Sequence, residues 1–170
     1  GPFPLVVYGH GQSLGVKHYR NTFEHLAKKG IAAMHPKYDT GFFDQNWYRM
    51  ANDYINISNC VLKKYNELDR KKIIYSGHSK GAYVASIAAG VAFDKTNIAI
   101  PRAVVLFQAA GADEAAIRKI DPKVALTVIY SDQDTIVEES FSRQIYNQAR
   151  VTHKQYITVK SYPERKADHM

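Results

Sequence analysis

Short, mostly apolar runs rich in β-branched and aromatic residues recur along the chain at 4–9, 31–34, 72–76, 103–107, 124–130 and 155–162. Each has the length of a buried strand. The intervening stretches keep a different rhythm. Tyr19, Phe23 and Leu26 recur at helical spacing, as do Met50, Tyr54, Val61, Leu62 and Tyr65 from a start at Trp47, and Val137, Phe141 and Ile145. The small-residue run 82–92 reads as a helix packed close to a sheet, and a short helix is expected near 112–119. Gly30 after Lys28-Lys29 is a helix stop. Pro36 and Gly41 make 35–46 a loop. Strands alternating with helices predict an α/β protein: a three-layer αβα sandwich with a mainly parallel sheet. Ligands of such sheets bind at the carboxyl ends of the strands.

One strand–helix junction carries chemistry. The run 73–76 leads into Gly77-His78-Ser79-Lys80-Gly81. A sharp turn there needs glycines beside a crowded serine, and it lifts the Ser79 hydroxyl clear of the sheet at a helix N-terminus. A serine hydroxyl becomes a nucleophile when a base takes its proton and an acid orients the base. His169 is the expected base and Asp134 the expected acid. Both follow strands, which puts them on the edge that holds Ser79. Asp132 is a rival acid, Asp113 and Glu114 more distant ones, and Asp134 before Thr135-Ile136-Val137 could also cap a helix. An oxyanion needs two preorganised N–H donors. Lys80, opening the helix, supplies one, and the His10-Gly11-Gln12 loop supplies the other through Gln12. In both residues the backbone amide is the functional atom.

The whole chain sets bounds on these readings. Its 170 residues, 45% of them hydrophobic, suffice for one domain with a real core. No apolar run approaches a membrane span, and no signal peptide is visible. Cys60 alone excludes an internal disulfide. The net charge of +7 invites a nucleic-acid reading. Its sources, however, are small groups such as Lys28-Lys29 and Lys63-Lys64 near helix C-termini, where cations are favoured. No nucleic-acid partner is therefore expected, although a basic surface suits anionic substrates. His18, His25 and His35 lack metal-binding spacing, so neither metal nor other cofactor is expected.

The serine turn, His10-Gly11-Gln12, Asp134 in Ser-Asp-Gln-Asp-Thr-Ile-Val and Asp168-His169 together resemble the α/β-hydrolase superfamily. Nearly the whole chain is covered, with the motifs in family order. Its compact serine esterases of the dienelactone-hydrolase, chlorophyllase and platelet-activating-factor-acetylhydrolase type are the nearest likeness, although dienelactone hydrolases use cysteine where this chain has Ser79. The resemblance implies a single domain over 1–170 that lacks the usual first strands and last helix, hence a piece of a longer chain. It also implies a serine hydrolase of small-molecule or lipid-like carboxylic esters. Thioesterase, lactonase and peptidase variants stay open, as does a non-catalytic binding module on the same fold. The segment 108–123 is too short for a large lid, so an open groove is expected. Phe42, Phe43 and Trp47, with Tyr48 and His78, are candidates for its wall; for the aromatics, core packing is an equal alternative.

Overall fold

The computed structural model describes residues 2–39, 41, 43–93, 98 and 100–169. Strands β1 (Phe3–Gly9), β2 (Ala32–Met34), β3 (Leu68–His78), β4 (Ala103–Phe107), β5 (Ala125–Ser131) and β6 (His153–Val159) form a single sheet. Its order is β2-β1-β3-β4-β5-β6, and every pairing is parallel. Helices α1 (Arg20–Lys28), α2 (Trp47–Lys64), α3 (Lys80–Phe93), α4 (Glu114–Ile117) and α5 (Glu139–Gln148) connect the strands. The chain steps outward from β1 to β2, then returns past β1 to β3. That reversal makes the carboxyl edge between β1 and β3 the crevice where such sheets take ligands.

Alternation along the strands builds two unequal faces. Leu5, Val7, Ile73, Tyr75, Val104, Leu106, Leu126 and Val128 point to one core, shared with α2, α3, α4 and α5. Val6, Tyr8, Ile74 and Phe107 point the other way and meet Phe23 and Leu26 of α1. Ile157 and Val159 of β6 fall on this second face and stay partly exposed. Tyr54 links a helix to the seam of the sheet. From α2 its buried hydroxyl donates to the Val7 carbonyl and accepts from the Ser76 N–H at 3.2 Å.

The elements agree with the hydrophobic pattern except at their ends. β3 begins at Leu68, four residues before the expected start, because Phe3 pairs with Leu68 and its N–H donates to the Glu67 carbonyl at 2.6 Å. Arg70, Lys71 and Lys72 therefore project from a strand end into solvent, where their polarity hides the strand. The last strand runs over His153–Val159, not to 162, since Tyr162 closes a tight turn with Arg165. Within 108–123 the only helix is the four-residue α4, capped by Asp113. No helix among the described residues is long and apolar enough to cross a membrane.

Close backbone approach seats α3. A β-carbon at Gly90 would overlap the Ala116 carbonyl of α4. Alanine is worth about 1 kcal/mol over glycine inside a helix, whereas overpacking costs about 1–3 kcal/mol. The contact is with backbone, which cannot swing aside, so overpacking should win. Gly90→Ala should lower the urea unfolding midpoint; an unchanged or raised midpoint would contradict this packing.

Candidate functional site

The turn between β3 and α3 holds Ser79 in the left-handed region, at φ 54°. Such a conformation costs a non-glycine residue about 1–3 kcal/mol and persists only when its surroundings impose it. Here they do. The Ser79 N–H donates to the Phe107 carbonyl at 2.9 Å, and its own carbonyl accepts from Ala82 (3.0 Å), Tyr83 (3.2 Å) and Ala110 (3.2 Å). The flanking glycines are there for space: a β-carbon at Gly77 would overlap Gly81, and one at Gly81 would overlap the Gly9 carbonyl. Lys80 opens α3, so its N–H is among those a helix leaves unpaired at its positive end. Across the β1 edge, Gln12 and Ser13 occupy the middle of a turn closed by the Leu14 N–H on the Gly11 carbonyl at 3.1 Å.

The loops after β5 and β6 bring Asp134 and His169 together. Asp134 Oδ2 lies 2.8 Å from His169 Nδ1, and its Oδ1 accepts from the Ile136 N–H at 2.8 Å and the Val137 N–H at 3.0 Å. The carboxylate has no solvent exposure. Burial by itself would raise its pKa, but the His169 bond and the two N–H donors outweigh burial and hold it below the usual carboxylate range. A carboxylate can only accept, so His169 carries its proton on Nδ1 and presents the Nε2 lone pair.

The rival acids are occupied elsewhere. Asp132 Oδ1 accepts from the Ser161 N–H (3.0 Å) and Oγ–H (2.8 Å), and Ser161 Oγ accepts from the Ala167 N–H at 2.8 Å. Asp132 thus braces the loop that carries His169. Asp113 caps α4 and accepts from the Tyr48 hydroxyl at 3.1 Å, while Glu114 pairs with Arg118. Gln108, also left-handed at φ 48°, donates from its side chain to the Asp168 carbonyl.

His78 faces His169, with ring centroids 4.6 Å apart. Burial, then the proximity of His169, lowers its pKa, against the opposing pull of its hydrogen bond to the His169 carbonyl. The other wall candidates scatter. Trp47 packs against Tyr83 at 4.9 Å between centroids and joins the core, Phe43 is 86% exposed, and Phe42 lies outside the described residues. Two cavities flank the loop after β1 and share Leu14. One of about 630 Å³ is lined by His10, Ser13, His35, Lys37 and Asp39. The other, about 270 Å³, is lined by Tyr8, Tyr19, His78, Phe107 and His169.

Sequence reasoning missed the side chain of Lys80. It is 3% exposed, and its ammonium donates to Asp39 Oδ2 at 2.9 Å. Asp39 Oδ1 lies 3.8 Å from His10 Nε2, and the His10 ring is stacked between His35 (4.9 Å) and Tyr38 (4.5 Å). The available signal was a lone lysine opening an otherwise apolar, small-residue helix, since a buried ammonium requires a carboxylate. Among the described residues, no three His, Cys, Asp or Glu side chains are grouped to hold a metal ion.

No protein-family model and no curated protein matches the sequence. Solved structures are nevertheless similar along almost its whole length. Est1E from Butyrivibrio proteoclasticus superposes with a TM-score of 0.75 at 16% identity, covering 99% of this chain and 80% of that one. A structure from the metagenome-derived lipolytic enzymes LipS and LipT gives 0.77 at 14% identity, covering 99% and 86%. A dienelactone hydrolase-like promiscuous phosphotriesterase from metagenomic libraries gives 0.70 at 19%, covering 94% and 71%. At these identities the likeness is one of fold.

Two outcomes follow from the charges around the site. Among the described residues the buried Nε2 of His35 has no hydrogen-bond partner, and burial followed by His10 lowers the His35 pKa. The unfolded chain therefore takes up a proton near pH 6.5 that the folded chain refuses, so stability falls as pH drops from there. His35→Phe should flatten the loss of urea stability between pH 7 and 5 and cost nothing at pH 7; an unchanged slope would refute it. Removing one partner of a buried ion pair costs about 3–5 kcal/mol, whereas replacing both can be neutral. Lys80→Met should therefore destabilise more than the double variant Lys80→Met/Asp39→Leu, measured by urea unfolding; equal losses would count against a buried pair.

Proposed function

This chain has the α/β-hydrolase fold, and we propose that it is a serine hydrolase of carboxylic esters in which Ser79, His169 and Asp134 form the catalytic triad. The observation that carries the reading is the buried Asp134–His169 hydrogen bond of 2.8 Å on the strand edge where Ser79 turns left-handed. Esterases and lipolytic enzymes among the similar structures support the same class.

Ser79 Oγ attacks the ester carbonyl carbon as His169 Nε2 takes the hydroxyl proton. Asp134 fixes the tautomer and stabilises the imidazolium without taking a proton. The carbonyl π electrons move to oxygen, and the N–H groups of Gln12 and Lys80 receive that oxyanion. Collapse of the tetrahedral adduct breaks the C–O bond to the alcohol, which leaves with the proton from His169. Water, deprotonated by the same nitrogen, then attacks the acyl-enzyme and releases the acid and Ser79.

Tyr8, Tyr19 and Phe107 give the 270 Å³ cavity beside His169 an aromatic lining, which suits a short acyl chain or a single ring better than a long lipid. Ferulic acid, one aromatic ring with a short side chain, is bound in a structure of Est1E, in keeping with that preference. Hydrolysis of p-nitrophenyl butyrate tests the proposal. Ser79→Ala should lower kcat by about 10⁴-fold or more, and Asp134→Asn by about 10²–10⁴-fold, with the fold retained by circular dichroism. Wild-type rates in Ser79→Ala would remove the nucleophile. A folded parent that turns over no ester would favour a binding module.

A further inference from the structure

The oxyanion loop, the serine turn and the base loop are joined by a hydrogen-bonded chain that the catalytic scheme does not use. The Gly11 N–H donates to the Tyr19 hydroxyl oxygen at 2.8 Å. That hydroxyl lies 3.1 Å from His78 Nδ1, and His78 Nε2 lies 2.6 Å from the His169 carbonyl oxygen. Gly11 precedes Gln12, His78 precedes Ser79, and His169 is the base itself. We propose that Tyr19 and His78 are positioning residues, a lock that holds the oxyanion donor of Gln12 and the base His169 in register about Ser79. The inference rests on the serine-hydrolase reading above.

The chemistry of each member leaves one arrangement. A backbone carbonyl only accepts, so His78 Nε2 carries the hydrogen and donates to His169. In a neutral imidazole Nδ1 is then an acceptor, and the Tyr19 hydroxyl donates to it. A backbone N–H only donates, so the tyrosine oxygen takes the Gly11 hydrogen. Every donor in the chain finds an acceptor, and the Tyr19 hydroxyl rotor is fixed. Tyr19, His78 and His169 are each no more than 8% exposed, so water competes poorly for these bonds. Burial also favours the neutral imidazole that this arrangement requires.

Space favours the same contact. A β-carbon at Gly11 would lie 3.0 Å from His78 Nδ1 and 3.2 Å from the Tyr19 hydroxyl, tighter than side chains accept without a shift. The Tyr19 ring is held separately, by Tyr8 at 5.0 Å and Phe23 at 6.5 Å between centroids. Its hydroxyl can therefore be removed while its packing remains. A misplacement near 1 Å in such a site costs about 10²-fold in rate, which makes a purely positional role measurable.

The test compares Tyr19→Phe, His78→Gln and the double variant on p-nitrophenyl butyrate. His78→Gln retains an amide N–H for the His169 carbonyl but offers Tyr19 no ring nitrogen. Each single variant should lower kcat by about 10-fold or more with KM within about twofold, and the double should be no worse than the poorer single, because one unit has been broken. Additive losses, wild-type kcat in Tyr19→Phe, or a loss that tracks the unfolding midpoint would overturn the lock. Long-range ¹⁵N–¹H spectra of the wild-type chain supply a readout that needs no turnover. They should show His78 as the Nε2–H tautomer, giving way to a tautomer mixture in Tyr19→Phe; an Nδ1–H tautomer in the wild type would overturn it. Ester turnover that survives Ser79→Ala would sink the hydrolase reading, and the inference with it, even where the tautomer is as expected.

Discussion

Everything at the carboxyl edge of the sheet depends on how closely the first turn of α3 lies on the ends of β1 and β3. Gly9, Gly77 and Gly81 touch backbone to backbone, and a β-carbon at Gly77 or Gly81 would collide with the chain opposite. With the helix seated that low, Ser79, the single residue between strand and helix, takes a left-handed conformation. The strain is of the order of 1–3 kcal/mol. Four backbone hydrogen bonds to Ser79, two of them to the β4 end and the segment after it, offset it. The left-handed geometry of Ser79 is thus a consequence of helix packing rather than a property of serine.

A loop edge can be accurate only if the loops are tied to one another, and here the ties run between residues distant in sequence. Asp132 braces the segment before His169 through Ser161, Gln108 holds the Asp168 carbonyl, and His78 holds the His169 carbonyl. Asp132 and Asp134 stand two positions apart yet serve different ends. Asp132 offers one oxygen to the N–H and hydroxyl of Ser161, and Asp134 offers one to the histidine ring. Their alternate placement after β5 separates support of the His169 loop from orientation of the His169 ring.

This division explains what the sequence revealed and what it did not. Strands and helices were legible because alternation and helical spacing are local, and the serine turn because glycine spacing encodes a local crowding. That Asp134 and His169 share one strand edge was legible from their positions after strands. The start of β3 at Leu68 was not, because residues 69–72 look like a loop until Phe3 pairs beside them. Tyr19 read as a helix-face position, and nothing local says that its hydroxyl meets His78, 59 residues away. The aromatics after Gly41 were ambiguous for the same reason: whether Trp47 faces a groove or Tyr83 is decided by α3, not by its neighbours in sequence.

Lys80 shows how such a long-range partner can reverse a local rule. A cation in the first turn of a helix opposes the macrodipole by about 0.3–1 kcal/mol, and burying an ammonium costs several kcal/mol more. At the 2.9 Å separation from Asp39, an effective dielectric near 20 gives an attraction of about 6 kcal/mol. That offsets much of the cost of burying the two charges, and the contact draws the loop after β2 onto the helix that follows Ser79. The pair has another consequence for the proposed chemistry. An unpaired ammonium beside the proposed oxyanion donors would also hold the anionic product acid and slow its release. With Asp39 neutralising it, the backbone N–H groups remain as directional donors, and their stabilisation grows only as charge develops on the carbonyl oxygen.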